Sequence, residues 1–481
     1  METFSLRKFI THPGMALLSL LLCPLMMQAQ WLPAPDHYGL GVATLLSEGR
    51  AAPFWLLSNR EGKFLPENSS AAALDLSLFA DPDTTRAISV AYGLELYGLM
   101  GSRNDFWIHQ AYGLLRYKSL LHLRAGRWTE IVGSKEPDLS TGSVIWSGNT
   151  RPMWKVEIAT PGYIDVPLTR GYLEVKGLLS HGWFEADRHV KDVWMHHKNI
   201  YLRLGGTLPV NITYGFNHYA QWGGTPPSGT PYPSDLNAYY RIFFNRAGDP
   251  DDPATPGGWA INKFGNTLGS RNYGIDLNRE RFKAGIYQQD VFEDGSGLRR
   301  QNFPDGLWGA YVRFTDERHL LQAVVYEFLH TKDQSGPTHD DPDGNVVGGN
   351  DNYFNHGHYR SGWTYFGFTI GTPLITSPIL NDPASDRITN NRVLAHHVGI
   401  EGFFSETLSY RALATYSRNY GRHPVPFEPP IDQLSLMLEL KRPLPWYGLQ
   451  AGITVAADVG RMYGDNTGVI IHLQKNLTPK H

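Results

Sequence analysis

Cysteine is nearly absent from this 481-residue chain: the single one, Cys23, lies close to the start. Past that point there are no disulfides, no zinc–thiolate sites and no cysteine nucleophile to consider. Long apolar runs are as scarce. Beyond Met27 nothing approaches the ~20 consecutive apolar residues that a helix needs to cross a bilayer. An excess of one charge is also missing, with 43 Lys+Arg against 46 Asp+Glu and a net of −3. With no block of like charge, nucleic acid as a partner has no electrostatic support. No G-x-S-x-G is present, and carboxylate pairs for glycoside cleavage are defined by separation in space, which spacing does not give. The expectation is a protein that is not an enzyme and uses no cofactor.

What is plentiful is aromatic residues and glycine, with 25 Tyr, 13 Trp and 50 Gly, a composition common in all-β surface proteins. At the N-terminus Arg7 and Lys8 precede the apolar run Met15–Met27, followed by Gln28-Ala29-Gln30. That order describes a secretory signal peptide over residues 1–29, cut after Ala29. Pro24 interrupts the run, and Leu-Leu-Leu before Cys23 makes a poor lipobox. Residues 30–481 are then expected to form one domain.

Alternation with a period of two recurs along that domain. In 433–441 (QLSLMLELK), Leu434, Leu436, Leu438 and Leu440 oppose Ser435, Met437, Glu439 and Lys441. In 199–204 (NIYLRL) and 307–315 (LWGAYVRFT) one face is apolar and the other carries Arg203 or Arg313. A sandwich and a membrane barrel both fit a single such strand. Loop lengths separate them. Strands read at about eighteen places are joined alternately by tight turns and by long segments, the longest near 47–71, 128–151, 223–269 and 331–392. Short turns on one side, long loops on the other and an even count predict a transmembrane antiparallel β-barrel with long extracellular loops, set in outer-membrane lipid. Segments 160–171 and 100–104 have the wrong length for their sides, and 363–370 reads as loop rather than strand.

The stretch GGNDNYFNHGHYRSGWTYFG (348–367) contains no aliphatic side chain and falls in the longest loop. Sugar recognition needs flat rings for the C–H face of a pyranose and amide, carboxylate or guanidinium groups for its hydroxyls. Tyr353, Tyr359 and Trp363 with Asn350, Asp351, Asn352 and Arg360 supply both; the competing reading is that they pack the loop against itself inside the barrel mouth. VIWSGNTRP (144–152) offers Trp146, Asn149 and Arg151 in another outer loop, against a capping turn as the plain alternative. Glu293 and Asp294 in FEDGSG read as a simple turn. DDPDGN (Asp340 to Asn345) has calcium-type oxygens but the wrong glycine position for an EF-hand. The pairs His196-His197 and His396-His397 point to opposite faces if they lie in strands, and with His356 and His358 they give no expected metal site.

The long stretch, continuing into FTIGTPLITSP (368–378), resembles the capsule assembly Wzi family in its Bacteroidota-type branch. APFWLLSNR (52–60), VIWSGNTRP, HHKNIYLRLG (196–205), AQWGG (220–224), FEDGSG (292–297), DGLWG (305–309), YEFLHTKDQSGP (326–337) and YSRNYG (416–421) agree in order from residue 50 to 420. The resemblance implies an outer-membrane barrel of about eighteen strands that acts as a lectin, holding capsular polysaccharide or exopolysaccharide at the surface of a Gram-negative cell without making or exporting it. Two features depart from that pattern. No amphipathic stretch is long enough for the periplasmic helical bundle of better-known members, and the chain ends LTPKH rather than on an aromatic. A porin or glycan-import channel is the alternative, for which Arg124, Arg203, Lys283, Arg313, Arg411 and Lys441 on lumen-facing positions would suit. An outer-membrane enzyme acting on lipid or glycan is a third reading.

Overall fold

The computed structural model describes residues 33–477 except 50, 134, 249–263, 294, 316–317, 337–338, 341–345, 382–386 and 447. The leader over 1–29, Asp294, all but the first residue of DDPDGN and the last four residues of the chain therefore lie outside the described residues.

The alternating segments form strands β1 (His37–Ser47), β2 (Ser70–Ala80), β3 (Ile88–Gly101), β4 (Asp105–Tyr117), β5 (Leu121–Arg127) and β6 (Trp154–Ala159). They continue with β7 (Leu173–Trp183), β8 (Trp194–Leu204), β9 (Val210–Trp222), β10 (Asn266–Asn278), β11 (Phe282–Phe292) and β12 (Gly306–Phe314). The last six are β13 (Ala323–His330), β14 (Val393–Ser405), β15 (Leu408–Gly421), β16 (Pro426–Pro443), β17 (Leu449–Gly460) and β18 (Asn466–Leu477). Each pairs antiparallel with the next, and β18 returns to β1 with Tyr38 opposite Leu477 and Ser47 opposite Gly468, closing an eighteen-stranded barrel. Closure satisfies every edge, which hydrocarbon demands. A two-residue strand, Ile164–Asp165, pairs with the start of β7 and structures the one long join at the short-turn end.

The wall is apolar on its outside and polar within. On β16, Leu436 and Leu438 are 39% and 41% exposed while Gln433, Ser435, Met437 and Glu439 on the alternate face are buried. Ile453 and Val455 on β17 are exposed around buried Thr454. That inversion fits lipid outside and a filled lumen inside.

The filling comes mainly from three long loops, with Phe184 and Val190 of the β7–β8 loop and Tyr232 of the β9–β10 loop joining the same cluster. The β1–β2 loop brings in a one-turn helix, Phe54–Leu57, with all four residues buried. The β5–β6 loop adds Leu139, Ile145 and Trp146, and the β13–β14 loop adds Tyr353, Phe354, Trp363, Ile370, Ile375 and Ile388, in one continuous apolar cluster. The stretch 348–367 has no aliphatic residue, but the residues just beyond it do, and they are buried. This loop is thus part of the core rather than a segment with little to bury. Thr364–Tyr365 pairs with Phe368–Thr369 in a hairpin apart from the barrel. Among the described residues the longest helix is Leu236–Phe243.

β8 begins at Trp194, five residues earlier than the alternation predicts. His196 and Lys198 occupy its outward positions, so the apolar-out pattern is broken there. His197 turns inward, 3.9 Å from the Tyr219 ring, and His196 outward toward Tyr239. In β14, His397 is buried, bonded to Thr415 and to the Leu139 carbonyl, while His396 is exposed beside Tyr326.

Candidate functional site

The ring-and-amide stretch folds inward. Tyr353, Tyr359 and Trp363 are almost fully buried. The Tyr353 hydroxyl donates to Asp305, Tyr359 to the Gly223 carbonyl, and Trp363 Nε1 to the Ile145 carbonyl at 2.8 Å. Asn352 Oδ1 accepts from Asn391, and Asp351 accepts from Ser335. Asn350 and Arg360 alone of this set lie exposed. Asn350 (φ 54°) and Phe354 (φ 70°) take left-handed backbone angles, the sharp reversals that compact the segment. The three rings are therefore covered, and the segment presents polar edges at the mouth.

His356 accepts at Nδ1 from the backbone N–H groups of His358 and Tyr359, both at 3.3 Å. A protonated Nδ1 could accept neither. Burial, with His358 beside it, holds this imidazole down to about 3. Its folded pKa lies below the ordinary value, so its contribution to stability is complete above about pH 6.5 and is lost as pH falls from there toward 3. At pH 5 the loop should lose up to about 2 kcal/mol of local stability. Faster amide exchange over 353–363 at pH 5 than pH 7 checks this after correction for the intrinsic pH dependence of exchange. His356→Asn, which keeps an acceptor without the titration, should abolish the difference.

A second group is assembled by the β5–β6 loop. Where it leaves the wall, a cavity of about 280 Å³ is lined by Trp128, Glu130, Ile131, Trp146, Thr150, Arg151 and, from the β1–β2 loop, Glu61. Trp146 is set by stacking on Tyr219 (5.6 Å, 11°). Trp128 Nε1 donates to Glu130, and the Lys155 ammonium pairs with Glu130 while sitting 4.4 Å from the Trp128 ring centre. Arg151 lies over the Trp107 ring at 3.7 Å and donates to Asp105 at 2.7 Å. Burial opposes the charge on Glu61, but the His109 hydrogen bond and the Lys63 ammonium outweigh it and hold the carboxyl below its usual range. Rings are thus fixed in place beside charged groups whose positions are set by ion pairs, at the end of the barrel where the long loops emerge. The volume is at the lower end of small-molecule sites, with room for one small ring.

Trp146 and Arg151 belong to this cavity; Asn149 lies behind it, buried and donating to Thr369. Trp128, Glu130 and Glu61 are not in the motifs read from sequence, although Trp128 and Glu130 open the same loop and Glu61 follows directly on APFWLLSNR. The six lumen cations are largely paired. Arg313 meets Glu136 and Glu401 at 2.6 and 2.7 Å, Arg411 and Lys441 both meet Glu439, and Arg203 meets Glu174. Arg124 lies over the Trp128 ring. Near the short-turn end Arg411 and Lys441 border a cavity of about 200 Å³ with Asp138 and Tyr410. Among the described residues no group of three His, Cys, Asp or Glu is placed to hold a metal ion.

A closed barrel with an apolar outer belt and a lumen filled by its own long loops defines an outer-membrane β-barrel protein. The model of the capsule assembly protein Wzi family matches residues 58–375, and the chain belongs to that family. Among solved structures, Wzi from Escherichia coli, an outer membrane protein involved in group 1 capsule assembly and a carbohydrate-binding β-barrel, superposes with a TM-score of 0.58 at 12% identity, over 96% of this chain and 88% of that one. Pseudomonas aeruginosa OccK5 gives a TM-score of 0.47 at 8% identity, over 92% and 97%. No curated protein matches by sequence.

Proposed function

We propose that this protein binds capsular polysaccharide or exopolysaccharide at its extracellular mouth and anchors it to the outer membrane, without acting on it chemically. The observation that carries the reading is the cavity with Trp128, Trp146, Arg151, Glu130 and Glu61, which offers rings and hydroxyl partners side by side. Chains of one sugar repeat would engage many barrels at once, so a modest affinity per site becomes stable retention. Asn350 and Arg360 would meet the same polymer at the rim. Paired lumen charges and packed loops leave little reason for a conducting pore. The N-terminal segment fits this reading as a leader removed after export.

The test is binding of the source strain's purified surface polysaccharide to the detergent-solubilised barrel, with an unrelated polysaccharide as control. The double variant Trp128→Ala/Arg151→Gln should weaken binding by roughly tenfold or more, since one well-placed aromatic alone is worth ~1 kcal/mol. Wild-type-like binding by the variant would move the site to the rim. No binding by the wild type would sink the reading.

A further inference from the structure

The outer wall breaks its own rule near the long-loop end of β7–β9. Outward positions there hold His181, Trp194, His196, Lys198, His218, Ala220 and Trp222, and the last two with His196 and His218 are buried although they face away from the lumen. The cover is the Leu236–Phe243 helix from the β9–β10 loop. Its Ala238 and Ile242 are buried in a separate cluster with Ala220 and Trp222. The Tyr239 ring is 5.6 Å from His196 and 5.5 Å from Trp222, and Lys198 reaches the Phe243 carbonyl. This loop therefore comes down the outside of the barrel, where lipid lies.

The opposite face of the helix is as telling. Leu236, Tyr240 and Phe244, at i, i+4 and i+8, form one stripe, 88%, 45% and 56% exposed. Below it run the exposed Ile200, Leu202 and Ile212 of β8 and β9, so the stripe continues the lipid-facing belt. A cation flanks it: Arg246 is exposed and lies over the Tyr240 ring at 5.1 Å. Arg300, on the β11–β12 loop, is exposed over the Tyr273 ring at 5.9 Å, with Asp290 at 3.5 Å. An apolar stripe edged by aromatics and an arginine is the composition of a helix lying in a membrane interface.

We propose that the Leu236–Phe243 helix is an external strap seated in the outer leaflet: Leu236, Tyr240 and Phe244 enter the acyl boundary, and Arg246 and Arg300 pair with phosphates of the surrounding glycolipid. The strap replaces a surface of histidines and a lysine by an apolar one. A lysine bare to hydrocarbon costs ~2–4 kcal/mol at mid-membrane and less toward the interface, which gives the helix a reason to stay down. It also fixes the depth and rotation of the barrel in the leaflet.

The chain beyond Cys23 has no cysteine, so single cysteines can be placed in the leaderless protein at Leu236, Tyr240 and Phe244, with Arg360→Cys at the mouth as control. Each would be labelled with bimane and reconstituted in vesicles of phosphatidylcholine and lipid A. Correct barrel formation is checked by the mobility of unboiled samples on gels. Quenching of the three helix labels by brominated acyl chains, with aqueous iodide quenching only the control, is the expected result. Iodide quenching of all four overturns the strap. In a second arm, Arg246→Gln/Arg300→Gln should retain roughly tenfold less lipid A through detergent washing than the native protein. Equal retention, or the same loss with lipid A stripped of its phosphates, overturns the phosphate contact.

Discussion

Trp363→Ala should destabilise the folded protein by about 3–5 kcal/mol, the range for deleting a fully buried large aromatic. The residue is fully buried at the centre of the lumen cluster. Its ring makes edge contacts with Trp146, Phe184 and Tyr219 at 6.4, 6.1 and 5.6 Å, and its Nε1–H ties the β13–β14 loop to Ile145 of the β5–β6 loop. Removing it takes out packing and leaves the Ile145 carbonyl unpaired, so two loops loosen together. Thermal unfolding in detergent and protease sensitivity of residues 349–375 give the measurement. Polysaccharide binding should fall as well, although the side chain reaches no solvent, because Trp146 loses its support. Unchanged unfolding with lost binding would instead make Trp363 a direct contact that becomes exposed when the loop opens.

The same residue shows what the sequence could and could not disclose. The barrel wall was legible because lipid favours apolar side chains at outward positions, so Leu434, Leu436, Leu438 and Leu440 stand out against Ser435 and Glu439, and loop length supplies the sidedness. The lumen has no such code. A ring in an outer loop is equally at home under a sugar or under another ring, and Tyr353, Tyr359 and Trp363 have the composition of a glycan platform while serving as packing. The aliphatic residues after the stretch, Ile370, Leu374 and Ile375, were the available sign that this loop has a core of its own. The start of β8 was missed for a related reason, since His196 and Lys198 face outward under a helix forty residues away in sequence, which a local pattern does not register. The Trp128–Arg151 cavity was half visible. Trp146 and Arg151 share one motif, but the carboxylate of Glu61 is brought by a different loop.

Glu327→Leu should open the barrel. This β13 carboxylate is fully buried on the lumen side and accepts four hydrogen bonds: from Ser140 Oγ at 2.7 Å, the Thr141 N–H at 2.7 Å, the Thr141 hydroxyl at 2.8 Å and the Tyr287 hydroxyl at 2.6 Å. Three of the four come from the β5–β6 loop, so one side chain clasps that loop to the wall. The neighbouring strand is shaped to receive it: at Gly399 a Cβ would come within 2.3 Å of the Leu139 carbonyl. Leucine fills a similar volume but strands all four donors, each costing about 1–3 kcal/mol when buried without a partner. The loop relieves that cost by moving toward water, and the lumen should then conduct. Single-channel recordings are expected to be near silent for the native protein and to show steady or flickering currents for the variant, with Glu327→Gln intermediate because its carbonyl still accepts. A variant that unfolds more easily yet stays silent would mean that the β13–β14 loop seals the lumen alone. Large currents from the native protein would revive the channel reading, with the paired arginines of the lumen as its selectivity elements.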